Sequence, residues 1–283
     1  MSISQFLSDA ATLLSSISQT ARLDAELLLA RALDVSRSYL YAHPERILAS
    51  FEENAFQKLL QQRLTGKPIS YILGEQEFFS LKLKITEDVL IPRPETEQLV
   101  LAVLERLPQE KTLRIVDLGT GSGAIALTLA SQRPAWQITA TDISAKALGV
   151  ARKNAERLQI PNVIFAEGSF LEALPSDDYD AIVSNPPYVC NNDPDLAEEV
   201  LRFEPHLALF AGNDGLDAIR VILKAAQEKL KFGGMLFLEH GARQGEEVKD
   251  LFSKNNYFEI KQERDISGFL RVTSGRALNM REA

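Results

Sequence analysis

The sequence predicts an α/β chain: a mostly parallel, doubly wound, Rossmann-like sheet with an antiparallel edge, preceded by a small helical bundle and a β-hairpin linker. Three observations carry this. Beyond residue 113, short apolar strands alternate with helical stretches, the pattern of a parallel sheet covered by helices on both faces. Between residues 77 and 92 the hydrophobic period shortens to two, as in a half-buried strand. Before about residue 72 the period is helical, without a convincing strand. A length of 283 residues, 45% of them hydrophobic, suits one large domain or two modest ones with a sizeable core.

Taken in order, Ala25, Leu28, Leu29, Ala32 and Leu33 form one apolar stripe, and Phe56, Leu59, Leu60 and Leu64 a second. Breaks at His43-Pro44 and at Gly66-Lys67-Pro68 divide this region into several short helices. Leu81, Leu83 and Ile85 then alternate with Lys82, Lys84 and Thr86, with Phe78-Phe79 before and Val89-Leu90-Ile91 after, predicting the hairpin. Pro92-Arg93-Pro94 stops the strand, and Glu95-Thr96-Glu97 opens a helix to about Leu107 with acidic residues in its first turn. Strands follow at 113–118, 137–141, 163–166, 180–184, 235–239 and 257–261, with helices at 123–132, 145–158, 215–231 and 243–254. Phe269 to Thr273 reads as a last edge strand. The expected domains are 1–75, helical; 76–93, the hairpin linker; and 94–283, the cofactor-binding and catalytic domain.

Charge narrows the partners. Lys plus Arg number 31 against 39 Asp plus Glu, a net −8 that is ill suited to neutralising a phosphate backbone. Residues 1–75 carry 7 basic and 8 acidic groups, so most of the excess lies beyond them. A single cysteine, Cys190, excludes an internal disulfide and fits a reducing compartment. The first residues lack a basic leader, and no apolar run approaches the roughly 20 residues of a membrane span. The expectation is a soluble cytoplasmic protein, a monomer, with neither membrane nor direct nucleic-acid partner.

Two segments carry chemistry. Asp117-Leu-Gly-Thr-Gly-Ser-Gly123 joins a strand to a helix, and its glycines allow a tight turn and close approach of backbone to a ligand at the helix N-terminus. Asp142 ends the next strand, where a carboxylate accepts hydrogen bonds from the ribose hydroxyls of an adenosine. Gly119, Gly121 and Ala124 also satisfy the looser dinucleotide pattern, so this turn alone leaves nicotinamide or flavin open. Asn185-Pro186-Pro187-Tyr188 follows the strand at 180–184. Its prolines stiffen the turn, so that the Asn185 side-chain oxygen and the Pro186 carbonyl converge as two acceptors for one NH2 group. Tyr188 adds a flat face for a planar substrate. Cys190 has no basic neighbour to activate it, and His43, His206 and His240 lack ligand spacing, so no metal site is expected. Asp193, Asp195, Glu198 and Glu199 read as a solvated helix face.

Asn-Pro-Pro-Tyr beside a glycine-rich first turn resembles the S-adenosylmethionine-dependent methyltransferases that modify planar NH2 groups. Gly66-Lys-Pro-Ile-Ser-Tyr-Ile-Leu-Gly74, Glu77-Phe78, Ile91-Pro-Arg-Pro-Glu-Thr-Glu97, Arg202-Phe-Glu-Pro205 and Leu238-Glu-His-Gly241 narrow the resemblance to the protein-(glutamine-N5) methyltransferases of peptide chain release factors. The resemblance runs nearly end to end. It implies a class I methyltransferase domain that methylates a release-factor glutamine on N5, modulating translation termination and leaving S-adenosylhomocysteine. It places Gly119, Thr120, Gly121, Ser122, Gly123, Asp142, Phe170 and Asn185 at the cofactor. Asn185, Pro186, Pro187 and Tyr188 would form the glutamine pocket, with Asn185, Pro186 and Tyr188 catalytic, and the helical domain would dock the substrate. Ser169 departs from the family's more frequent Asp and is a weaker acceptor for an adenine amino group. Rival readings are glutamine methylation of a ribosomal protein and N-methylation of a DNA or RNA base.

Overall fold

Five helices at the start of the chain close around one apolar core: α1 (Ile3–Leu14), α2 (Ala21–Leu33), α3 (Arg37–Ala42), α4 (Ser50–Leu64) and α5 (Ile69–Leu73). Ser2 starts α1 with a reciprocal cap, its hydroxyl accepting from the Gln5 N–H while the Gln5 side chain accepts from the Ser2 N–H. Both predicted stripes face inward, and Phe6 of α1 meets Phe56 of α4 edge to face at 5.8 Å between ring centroids. One ion pair lies inside: Arg63 Nε donates to Asp24 Oδ2 at 2.8 Å, both side chains being buried. Arg63 Nη1 also reaches the Lys67 carbonyl and Glu199 Oε2. Replacing either partner of the Asp24–Arg63 pair would strand a buried charge. This computed structural model describes residues 1–174 and 178–278. It divides into two compact units, Met1–Glu75 with Ala197–Phe203, and Gln76–Leu196 with Glu204–Ala283.

The second unit begins with a two-stranded hairpin, β1 (Glu75–Phe78) and β2 (Leu81–Lys84). Phe79 and Ser80 both take positive φ, as a two-residue primed turn demands. The Phe79 N–H donates to Glu97 Oε1 of α6 (Thr96–Arg106), which ties the turn to that helix.

Seven strands form the main sheet: β3 (Arg114–Leu118), β4 (Gln137–Asp142), β5 (Val163–Glu167), β6 (Tyr179–Ser184), β7 (Leu230–Glu239), β8 (Tyr257–Arg264) and β9 (Leu270–Ala277). Their order is β5-β4-β3-β6-β7-β9-β8. The first five run parallel, and β9 is antiparallel to both of its neighbours. The crossover helices are α7 (Ala124–Gln132), α8 (Ala145–Leu158), α10 (Asp217–Lys229) and α11 (Gly245–Lys254), while α9 (Glu198–Phe203) groups with the first unit. On one face Ile219, Ile222 and Leu223 of α10 pack over Val116, Ile182 and Leu236. The strand order reverses between β3 and β6, which opens a crevice at their carboxyl ends.

One expected placement is corrected. The segment at 269–273 is not the outermost strand, because β9 inserts between β7 and β8 and leaves β8 at the edge. Val272, Thr273 and Ser274 of β9 are fully buried, whereas Glu259 and Lys261 on β8 are exposed charges of the kind that blunt a sheet edge.

Candidate active site

The turn after β3 holds its shape through side chains that point inward. Gly119, Gly121 and Gly123 have φ of +68°, +55° and +86°. A Cβ on Gly119 or Gly121 would meet nothing within 4 Å and would enter the cleft that both residues line. At Gly123 it would come within 2.9 Å of Leu127 Cδ1, so that glycine serves the packing of α7 on α8. Asp117 Oδ2 accepts from Thr120 Oγ1 at 2.6 Å and from the Ala126 N–H at 3.2 Å. The Ser122 carbonyl accepts from Asn154 Nδ2 at 2.9 Å. Asp142 clamps the turn from β4, its Oδ2 accepting from the Gly121 N–H and its Oδ1 from the Ser144 N–H, each at 2.9 Å. Each of these carboxylate oxygens keeps a lone pair for a ligand hydroxyl.

Asp117 is fully buried, its Oδ1 has no hydrogen-bond partner, and burial pushes its carboxyl up to about 7. A pKa raised in the folded state favours the protonated acid. Its contribution to stability is therefore complete below the ordinary carboxylate range and is lost as pH rises through about 7. Asp117→Asn keeps an acceptor for Thr120 and Ala126 and carries no charge at any pH. Urea midpoints at pH 5 and pH 8 should show the variant gaining on the wild type as pH rises. An equal difference at both values would mean that Asp117 is ionised in the fold throughout.

The second loop leaves β6 at Asn185. Asn185 Nδ2 donates to Thr96 Oγ1 at 3.1 Å, leaving its Oδ1 for a ligand. Pro186 is buried. Tyr188 turns its hydroxyl to Glu239 Oε1 at 3.2 Å, and its carbonyl accepts from Gln244 Nε2 at 3.1 Å. The next residue, Val189, exchanges backbone bonds with Leu209 and Ala211, both at 2.9 Å. At Gly215 an added Cβ would stand 2.2 Å from the Tyr188 carbonyl oxygen, so the loop is held on all sides. Glu239 is fully buried, and burial pushes its carboxyl up to about 7.

One cleft collects most of the residues expected from sequence. Gly119, Gly121, Asp142, Ser169, Phe170, Asn185 and Pro187 all line it. Phe170 sits at φ +41°, a strained value for an aromatic residue. Thr120, Ser122, Gly123, Pro186 and Tyr188 are not on the lining; the first three build the turn, and Tyr188 faces Glu239. Sequence reasoning missed the remaining wall, which comes from Asp88, Val89 and Leu90, from Ile143, Ser144 and Ala147, and from Pro205, Leu207 and Ala208. An available signal was Ile143, an apolar residue directly after the acidic strand end, which is 54% exposed here. Glu239 and Thr96 were also missed as partners of the 185–188 loop.

The weaker candidates find ordinary places. His240 is buried between Thr273 Oγ1 and the Gly241 carbonyl, and burial lowers its pKa. Cys190 is a partly buried free thiol. Among the described residues no three His, Cys, Asp or Glu side chains gather as metal ligands. Within the acidic segment Asp195, Glu198 and Glu199 are solvent-exposed as expected, Asp195 pairing with Arg243 and Glu199 with Arg63, but only Glu198 and Glu199 lie on α9, Asp193 and Asp195 preceding it. No helix among the described residues is long and apolar enough to cross a membrane.

Comparison with known proteins follows the same division. The PrmC N-terminal domain family matches residues 5–74, and the methyltransferase small domain family matches 98–206. A release factor glutamine methyltransferase of Coxiella burnetii (strain RSA 493 / Nine Mile phase I) is 48% identical over 276 residues, 98% of this chain and 99% of the relative. Its namesake in Xylella fastidiosa (strain Temecula1) is 44% identical over 266 residues, covering 94% of this chain and 97% of that one. Among solved structures, a ribosomal protein L11 methylase from Lactobacillus delbrueckii subsp. bulgaricus superposes with a TM-score of 0.51. That match covers 71% of this chain and 90% of the other at 21% identity, a likeness of fold.

Proposed function

Because the chain belongs to the release factor glutamine methyltransferases, we propose that the cleft of its second unit binds S-adenosylmethionine and presents a release-factor glutamine to it at Asn185. The observation that carries this is the convergence on one cleft of the glycine turn, the Asp142 carboxylate and the Asn185 amide. The cofactor supplies a sulfonium methyl group. Gly119 and Gly121 leave the space that a side chain would fill, and Asp142 offers a free lone pair on each oxygen for a ribose diol. Phe170 and Ile143, both on the cleft lining, offer apolar surface for an adenine ring. The residues fit the group.

At the acceptor end the chemistry is orientation. An amide nitrogen is a poor nucleophile because its lone pair is delocalised. Asn185 Oδ1, with its NH2 already engaged by Thr96, accepts one hydrogen of the glutamine amide, and the Pro186 carbonyl takes the other. Two acceptors fixed on a proline-stiffened loop polarise that nitrogen and aim it at the methyl group. Pro187, on the cleft lining, closes the side of the pocket, and Tyr188, off the lining and pinned through its hydroxyl to Glu239, stiffens the loop from behind. We read the enzyme as cytoplasmic and monomeric, with a protein substrate rather than a nucleic acid. Adenosylhomocysteine should raise the melting temperature and NADH should not; the reverse result would return the glycine turn to dinucleotide chemistry.

The helical unit we read as the docking domain, since the cleft is lined by residues of the second unit alone. Deleting residues 1–72 should leave adenosylhomocysteine affinity and methylation of a short glutamine peptide largely intact, while methylation of a whole release factor collapses. Full activity of a soluble truncated protein on the whole release factor would remove the docking role.

A further inference from the structure

The loops that leave β6 and β7 and the loop that enters α10 are joined by one half-buried side chain, Gln244, which stands just before α11. Its Nε2 donates to the Tyr188 carbonyl and to the Asp214 carbonyl, each at 3.1 Å. Its Oε1 accepts from the Gly241 N–H at 2.8 Å, and its own backbone N–H donates to the Gly241 carbonyl at 2.9 Å. A primary amide offers two hydrogens and one carbonyl oxygen, and here each has a partner. Those partners fix which end of the amide is which, since an N–H must meet the oxygen and two carbonyls must meet the NH2. Two glycines make room for it: a Cβ on Gly215 would stand 2.8 Å from Nε2, and one on Gly241 2.9 Å from Oε1.

The Tyr188 carbonyl matters because of what precedes it. Ser184, the last residue of β6, is held in register between Leu118 and Leu238, so the loop starts from a fixed point. Pro186 and Pro187 follow with φ locked by their rings. The Pro186 carbonyl therefore sits on a short bridge with few free torsions, held upstream by the sheet and downstream at Tyr188. Resting on the reading of Asn185 and Pro186 as paired acceptors for the substrate amide, we propose that Gln244 is a positioning residue for methyl transfer: its NH2 fixes the downstream end of the 185–188 loop, and with it the direction of the Pro186 carbonyl. The peptide that carries the Tyr188 carbonyl is anchored at its other end, where the Val189 N–H donates to the Leu209 carbonyl at 2.9 Å. With one of those two anchors gone the peptide tilts rather than swings, and the proline rings pass the tilt on instead of absorbing it. A moderate loss of rate follows, not an abolished one.

The test is single-turnover methyl transfer to a purified release factor at saturating cofactor, with adenosylhomocysteine affinity measured by calorimetry on the same proteins. Gln244→Met keeps the length of the side chain and loses all of its hydrogen bonds. Gln244→Glu, assayed at pH 8 where a half-buried carboxyl is ionised, keeps the acceptor for the Gly241 N–H and sets an oxygen against the two carbonyls. Both should slow transfer by about 10-fold, the rate equivalent of one or two neutral hydrogen bonds, with Glu no faster than Met and cofactor affinity unchanged. A side chain that only closes the turn into α11 would order them differently: Glu, retaining the Gly241 bond, would run at the wild-type rate while Met lagged, and that order would overturn the proposal. Wild-type rates in both variants, or a loss confined to cofactor affinity, would overturn it too. In an Asn185→Ala background Gln244→Met should cost about threefold or less, because the aim of one acceptor matters less once its pair is gone; an undiminished loss there would separate Gln244 from the acceptor pair. If Gln244→Met fails to fold, Gln244→Glu decides alone, slow for the proposal and wild-type against it. Asn185→Ala by itself separates the two levels: a slow Ala with fast Met and Glu sinks the role of Gln244 alone, whereas a fast Ala sinks the reading of Asn185 itself.

Discussion

Asn185→Ala should lower the methyl-transfer rate at saturating cofactor by about 10²–10³, the scale seen when one preorganised polar contact is removed from a reacting centre. Alanine offers neither the acceptor oxygen nor the NH2 that meets Thr96. Cofactor affinity should change far less, since the glycine turn and Asp142 remain. Asn185→Asp keeps an acceptor and adds a negative charge near a sulfonium, so it should fall between wild type and Ala while holding the cationic cofactor more tightly than its neutral product. Its lost NH2 also forces Thr96 to donate toward residue 185, which is why full activity is not expected. Single-turnover rates decide. Equal rates for Ala and wild type would show that something else orients the amide; an Asp variant as slow as Ala would make the NH2 as necessary as the oxygen.

The second large effect lies at the cofactor. Asp142→Ala should weaken S-adenosylmethionine binding by about 1.5–3 kcal/mol, the usual worth of hydrogen bonds to a charged group. Because each oxygen already accepts from a backbone N–H, of Gly121 and of Ser144, the substitution also frees both ends of the clamp. Asp142→Asn should be nearly as weak, since its NH2 must face one of those N–H donors. Titration calorimetry with wild-type affinity in either variant would remove Asp142 from the ribose site.

Most of the sheet was legible because each strand or helix announces itself over a few neighbouring residues. Ile115 to Leu118 and Ala181 to Ser184 are short apolar runs after which the chain turns, and Leu148, Ala151 and Ala155 repeat at helical spacing. The placement of β9 was not legible. Thr273, Ser274 and Gly275 lack the bulk of central-strand residues, and their burial comes from β7 and β8 closing on them. At the site the division is the same. The glycine turn and Asn185 to Tyr188 are each contiguous, so composition and spacing expose them. Thr96 lies 89 residues from Asn185 and Glu239 51 residues from Tyr188, and only the strand order brings them together. Val89 and Leu90 looked like strand because they are apolar; in the structure they are cleft wall outside any strand.

The most direct test is methyl transfer from labelled S-adenosylmethionine to purified release factors, ribosomes and DNA in parallel, followed by mapping of the labelled atom. Label should appear in a release factor, on the side-chain nitrogen of a single glutamine, and be lost from it with Asn185→Ala. Label on a ribosomal protein or on a nucleic-acid base, with release factors unmodified, would contradict the account.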